Sequence, residues 1–203
     1  MKNDMLEYET LDVAYNFFNK QLFGGELPTC LITLQHYGAR TRGYYSRDRF
    51  QYKYKKGKTD EIMLNPDHFL DRTDAQILST LVHEMVHLWQ WRFATPRRAG
   101  YHDKEWANRM EEIGLMPSNT GEKGGERTGQ KMFHYIIKGG SFDVSCRVFL
   151  KMGKINLGSY VVVKGKKAPS KMKYECPSCQ LKVWGKPDLL VLCMECEQVL
   201  ISE

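Results

Sequence analysis

Apolar residues recur at three- and four-residue intervals in three stretches of the chain. In the first, Leu6, Leu11, Ala14, Tyr15, Phe17, Phe18, Leu22 and Phe23 share one broad face, which predicts a helix over residues 6–23 closed by Gly24-Gly25. In the second, Ile77, Leu78, Leu81, Val82, Met85, Leu88 and Trp89 keep the period for about six turns. Thr73 and Gln76 have the spacing of a capping box at its start. Pro96 stops it, because proline has no N–H to give and disfavours helix in the residue before it. The third stretch begins at Asp103-Lys104, places Trp106, Met110, Ile113 and Leu115 on one side, and closes at Gly114.

Between and after these helices the pattern shortens. Leu31–Gln35 opens an extended region, residues 40–58 alternate aromatic and basic side chains as paired strands do, and Asp60–Asn65 reads as a short strand ended by Pro66. Residues 117–130 (PSNTGEKGGERTGQ) have the Gly, Ser, Thr and charge content of a linker. From Lys131 to Lys167 short apolar runs are broken by Gly and basic residues, which predicts a small β-rich segment. His134 and Tyr135, within it, receive no role, and His68 is expected at the surface or in a cap. The class is α+β.

The second helix carries His83-Glu84-Met85-Val86-His87. Helical residues four apart differ by about 40° in azimuth, so both imidazoles leave one face a turn apart and suit a single zinc ion. Glu84 is poorly placed to join them as a ligand; it is placed to act as general base on a zinc-activated water. The bland alternative is a core helix that happens to carry two histidines. Two imidazoles and a carboxylate buried without partners are costly, and a metal accounts for all three. A hydrolytic zinc site takes a third protein ligand and keeps one position open. His102, fifteen positions after His87 at the mouth of the third helix, is the best candidate.

These residues resemble the SprT-like metalloprotease family, which includes the Spartan proteases. That family pairs HExxH with a histidine fifteen residues on, in a short H-G-x-x-(F/W) segment. Here the segment is His102-Asp103-Lys104-Glu105-Trp106, with Asp103 in the glycine position. The similarity reaches upstream through LDVAYNFFNKQLFGGELP and covers about residues 8–118. It implies a zincin-like domain in which the HExxH helix packs on helices and a small antiparallel sheet. It further implies a zinc-dependent endopeptidase acting on DNA-associated or DNA-crosslinked proteins, with the 60–65 strand as the edge that pairs with substrate.

Near the C-terminus Cys176-Pro-Ser-Cys179 and Cys193-Met-Glu-Cys196 form two CxxC turns, which predicts a four-cysteine zinc ribbon over residues 174–203. Four thiolates leave no site for water, so this zinc is structural, and so short a piece depends on it for stability. Cys30 and Cys146 are read as ordinary buried thiols. The expected division is a metalloprotease domain over 1–118, a Gly/Lys-rich linker and β-rich segment over 119–173, and the ribbon. The cofactors are Zn2+ in one catalytic and one structural site.

Charge adds a partner. Residues 1–120 carry equal numbers of basic and acidic side chains, whereas residues 121–175 carry 12 Lys/Arg against 4 Asp/Glu. Within 40–58, Arg47, Arg49, Lys53 and Lys55 alternate with tyrosines, and Lys164, Lys166 and Lys167 cluster later. Cations meet phosphates and rings stack on unpaired bases, so these are the candidate nucleic-acid contacts and DNA the expected partner beside a protein substrate. The bland alternatives are a charged edge strand that resists aggregation for the first group and a solvated linker for the second. The polar, acidic N-terminus lacks the apolar core of a signal peptide, and no apolar run approaches ~20 residues, so the expected location is cytoplasmic, without membrane. Two other functions fit the same residues: a nucleic-acid-binding zinc protein whose HExxH site is not proteolytic, and a zinc hydrolase of non-protein amides.

Overall fold

The computed structural model describes residues 7–38, 40–95, 100–153 and 170–202. The chain divides into two compact units, Met1–Val162 and Val163–Glu203.

In the first unit, helix α1 (Glu7–Leu22) ends where Gly24 and Gly25 both adopt positive φ, a conformation only glycine takes without strain. Asn19, in its last turn, donates to Leu27 O and accepts from Leu27 N, fixing the chain's exit. Strands β1 (Leu31–Leu34), β2 (Gly43–Gln51) and β3 (Lys58–Leu64) form a sheet in the order β1-β3-β2. β2 runs antiparallel to β3, but β1 is parallel to it, so the sheet is mixed rather than antiparallel. The reason lies in the loop between β1 and β2, which crosses the end of β3. The buried Asn65, just past β3, donates from its amide to Tyr37 O, Gly38 O and Thr41 O and so fastens that crossing.

Helix α2 (Asp74–Phe93) has the expected capping box: Gln76 N donates to Thr73 Oγ1 and Thr73 N to Gln76 Oε1. It closes at Phe93, with Ala94 as its cap. Twelve of its residues are buried, including Ile77, Leu78, Leu81, Val82, Met85 and Leu88. Each such apolar side chain contributes about 1.5–3 kcal/mol when fully buried, which makes α2 the axis of the core.

Helix α3 (Lys104–Glu112) is followed by Gly114 at positive φ and strand β4 (Leu115–Ser118), so Leu115 begins a strand instead of ending the helix. β4 pairs antiparallel with β5 (Phe133–Ile136).

The segment expected to be β-rich contributes only β5 among its described residues, and then a helix, α4 (Ser141–Lys151). Phe142, Cys146 and Phe149 lie at helical spacing on its buried face, and Phe142 and Phe149 pack on Phe17 and Phe18 of α1. Short apolar runs looked like strands, but their period of three to four belongs to a helix. Residues 132–151 therefore belong to the first unit's hairpin and core, and 119–131 form the exposed to half-buried loop that joins β4 to β5. Lys164, Lys166 and Lys167 lie outside the described residues.

The second unit is a small β structure. β6 (Met172–Glu175) is flanked by β7 (Lys182–Gly185) and β10 (Ile201–Ser202), and β8 (Leu192–Cys193) pairs with β9 (Gln198–Val199). Among its described residues only Tyr174, Cys176, Cys193 and Leu200 form the buried core. Among the described residues no helix is long and apolar enough to cross a membrane.

Candidate metal centre and active site

Helix α2 brings His83 and His87 to one face, and the start of α3 brings His102 to them; one ligand atom from each lies within 4.8 Å of the others. The Nε2 atoms of His87 and His102 are 3.1 Å apart. Two nitrogens on one tetrahedral zinc, each at roughly 2.0–2.1 Å, are separated by about 3.3 Å, so the spacing fits that ion. His102 Nδ1 donates to Gly129 O at 3.0 Å, which places its proton on Nδ1 and leaves Nε2 free to ligate. Gly129 also exchanges both backbone hydrogen bonds with His102, at 2.9 and 3.0 Å. The Gly-rich loop after β4 thus has a job that its composition hides: it clamps the third histidine.

Asp103 explains its own presence in the glycine position. Its carboxylate caps α3 by accepting from Trp106 N at 3.0 Å and takes Gln90 Nε2 of α2 at 2.8 Å, tying the two helices that hold the histidines. Beneath the ligands lies Trp106, fully buried, with its ring stacked on His87 and edge-on to His83 and His102. Its indole N–H has no hydrogen-bond partner among the described residues.

Burial sets the electrostatics. It holds His83, His87 and His102 below the ordinary imidazole range, His87 at about 3, so the rings are neutral and able to ligate. It pushes the Glu84 carboxyl up to about 8, opposed by a hydrogen bond from the Tyr45 backbone N–H. That contact comes from the outer side of β2. Asn65 N donates to Arg42 O, so residues 42, 44 and 46 turn their backbone groups to β3, and Gly43 and Tyr45 turn theirs outward. Gly43 permits the approach: a Cβ there would stand 3.1 Å from Glu84 Oε1 and 2.9 Å from Met63 O.

The strand expected to meet substrate is therefore the wrong one. β3 is central and paired on both sides, with no edge to offer; the edge beside Glu84 belongs to β2. The histidines and Glu84 line an open cleft of about 770 Å³, bordered by Arg42, Tyr45, Trp91, Tyr101 and Phe133.

Sequence reasoning left out one residue of this cleft. His134, on β5, is half-buried against α2 with Nδ1 3.1 Å from His83 Nδ1 and Nε2 2.8 Å from Ser79 Oγ. Only the hairpin that pairs β5 with β4 puts it there, 51 residues from His83, and no spacing rule spans that distance.

The candidate nucleic-acid residues fall on the far half of β2 and its turn. Arg47 lies 3.0 Å from Asp48 and over the Trp91 ring, and Arg49 lies 3.5 Å from the buried Glu61. Lys53 and Lys55 sit over Tyr54 and Tyr52.

In the second unit Cys176, Cys179, Cys193 and Cys196 bring their sulfurs within 4.8 Å of one another. Cys179 and Cys193 are 3.7 Å apart, close to the roughly 3.75 Å between thiolates on a tetrahedral zinc at about 2.3 Å. Gln180 and Glu197, each directly after the second cysteine of a pair, adopt positive φ and close the two turns. The Cys179 backbone N–H, with that of Ser178, pulls the Cys176 thiol down to about 7, toward the thiolate a metal takes.

Fold and site together define a protein with a three-histidine candidate metal centre beside a buried carboxylate, and a second, four-cysteine candidate centre. Residues 11–124 match the SprT-like family, and the chain belongs to it. Membership is consistent with a metalloprotease-like function. Over 55 residues the chain is 51% identical to a Salmonella typhimurium protein described as an uncharacterized protein in the mucB 3' region; the match spans 27% of this chain and 73% of that one. No solved structure matches the chain.

Proposed function

We propose that the protein is a zinc-dependent endopeptidase acting on DNA-associated or DNA-crosslinked proteins. The observation that carries the reading is the convergence of three histidine ligand atoms within 4.8 Å, with Glu84 in the same cleft. Bound there by His83, His87 and His102, zinc would supply Lewis-acid polarisation of a carbonyl and bring the pKa of a water to about 7. Glu84 takes the proton of the attacking water and delivers it to the leaving amine nitrogen. The Tyr45 N–H opposes the effect of burial and favours the ionised Glu84 carboxylate that serves as base. The outward backbone groups of β2 pair with an extended substrate and present its peptide bond to the histidines. The four cysteines hold a structural zinc. The DNA assignment is supported by the family's Spartan members and by the basic, tyrosine-rich turn after β2.

The test is cleavage of a basic DNA-binding protein by wild type and Glu84→Gln, each with and without single-stranded DNA, with zinc content measured alongside. DNA-stimulated cleavage by wild type alone supports the whole reading. Cleavage indifferent to DNA keeps the peptidase and removes DNA as its activator. No cleavage by a zinc-loaded wild type that retains DNA favours a binding protein instead.

A further inference from the structure

His134 forms the middle of a hydrogen-bonded chain whose directions can be worked out. Ser79 Oγ lies 2.8 Å from Gln76 O, an acceptor only, so the hydroxyl proton of Ser79 is committed to it. Ser79 then meets His134 Nε2, 2.8 Å away, with a lone pair, and the His134 proton sits on Nε2. His134 Nδ1 is left as an acceptor, facing His83 Nδ1 at 3.1 Å, and His83 must donate from Nδ1. His83 Nε2 is thereby stripped of its proton and becomes the ring's ligating atom, as Gly129 makes it for His102.

We infer that His134 is a positioning residue for the metal centre, fixing the tautomer and ring plane of His83 through the Ser79–His134–His83 chain. This rests on the reading that His83, His87 and His102 hold a metal. His134 is not itself a member of that three-histidine group, and its Nε2 is taken by Ser79. An imidazole in this role is unusual beside the carboxylates and backbone carbonyls that commonly orient metal-bound histidines. It is neutral, which suits a pocket already bordered by Arg42 and adds no charge beside the metal.

The test is zinc affinity of the full chain by competition with a chelator, compared across wild type, His134→Phe, His134→Asn and His87→Ala. His87→Ala reports the four-cysteine site alone. Phenylalanine fills the space without an acceptor, whereas the Asn Oδ1 stands near the place of Nδ1 and accepts from His83. His134→Phe is expected to weaken the histidine site about 10–100-fold, and His134→Asn to remain within about threefold of wild type. Equal losses in the two variants, or no loss in His134→Phe, overturn the inference; equal losses would mark His134 as a direct ligand or as packing alone. If His134→Phe fails to fold, Ser79→Ala carries the same test: weakened binding supports the chain and unchanged binding overturns it. A wild type that binds no more zinc than His87→Ala refutes the underlying metal site instead.

Discussion

Gly43→Ala tests how closely β2 must approach helix α2, which carries Glu84. The added Cβ would lie 2.9 Å from Met63 O, 3.0 Å from Thr80 Cγ2 and 3.1 Å from Glu84 Oε1. Carbon prefers contacts of about 3.5–4.0 Å, so β2 and α2 must part by roughly half an ångström. Met63 O belongs to the central strand and is held in the ladder, so it cannot give way. Replacing a strand glycine ordinarily gains about 0.5–1 kcal/mol, but overpacking costs about 1–3 kcal/mol, so the net effect is loss. At about 2–4 °C per kcal/mol for a domain of this size, the melting temperature falls by up to about 10 °C. Turnover falls further, because a catalytic group misplaced by about 1 Å can cost 100-fold. Thermal denaturation of the zinc-loaded protein and peptidase assays read the two effects. Adding Thr80→Ser removes Cγ2 and should recover part of the stability but not the Met63 clash. Wild-type melting and wild-type turnover in Gly43→Ala would refute the reasoning.

Three further outcomes follow from the packing. Asn65→Ala leaves the β1–β2 crossing unfastened and should cost about 1–3 kcal/mol in urea denaturation, and Asn65→Asp should cost more, since a carboxylate would face three carbonyls. Phe149→Ala removes a buried ring from α1 and α4 and should destabilise the first unit by about 3–5 kcal/mol; a change near zero would mean α4 is not part of that core. Cys193→Ser should lower zinc content by about one equivalent and collapse the amide dispersion of residues 170–202 in NMR spectra, leaving the first unit's melting unchanged, because so small a core depends on its metal.

Much of the site was legible in the sequence because its elements are local. The four-residue spacing of His83 and His87, the capping box at Thr73 and Gln76 and the CxxC pairs each lie within one helix turn or tight turn, where geometry follows directly from order. His102 was legible through its spacing from His87 and the helix it opens. The period of α4 was also present in Phe142, Cys146 and Phe149, but Gly139-Gly140 and Gly153 on either side, with the basic residues around them, make the stretch read as shorter runs. The mixed sheet was not readable, because alternation predicts a strand and not its direction, and the crossing that sets that direction is secured by Asn65 from elsewhere in the chain.

The sequence by itself determined which residues are able to ligate and which helix carries them, since periodicity and donor chemistry are properties of neighbours along the chain. Only the tertiary structure decided that β2, not β3, presents its edge to the cleft, that Gly129 clamps His102, and that His134 meets His83. Each of these depends on backbone groups or side chains that become neighbours through strand pairing and packing, and such long-range closure leaves no fixed interval in the sequence to read.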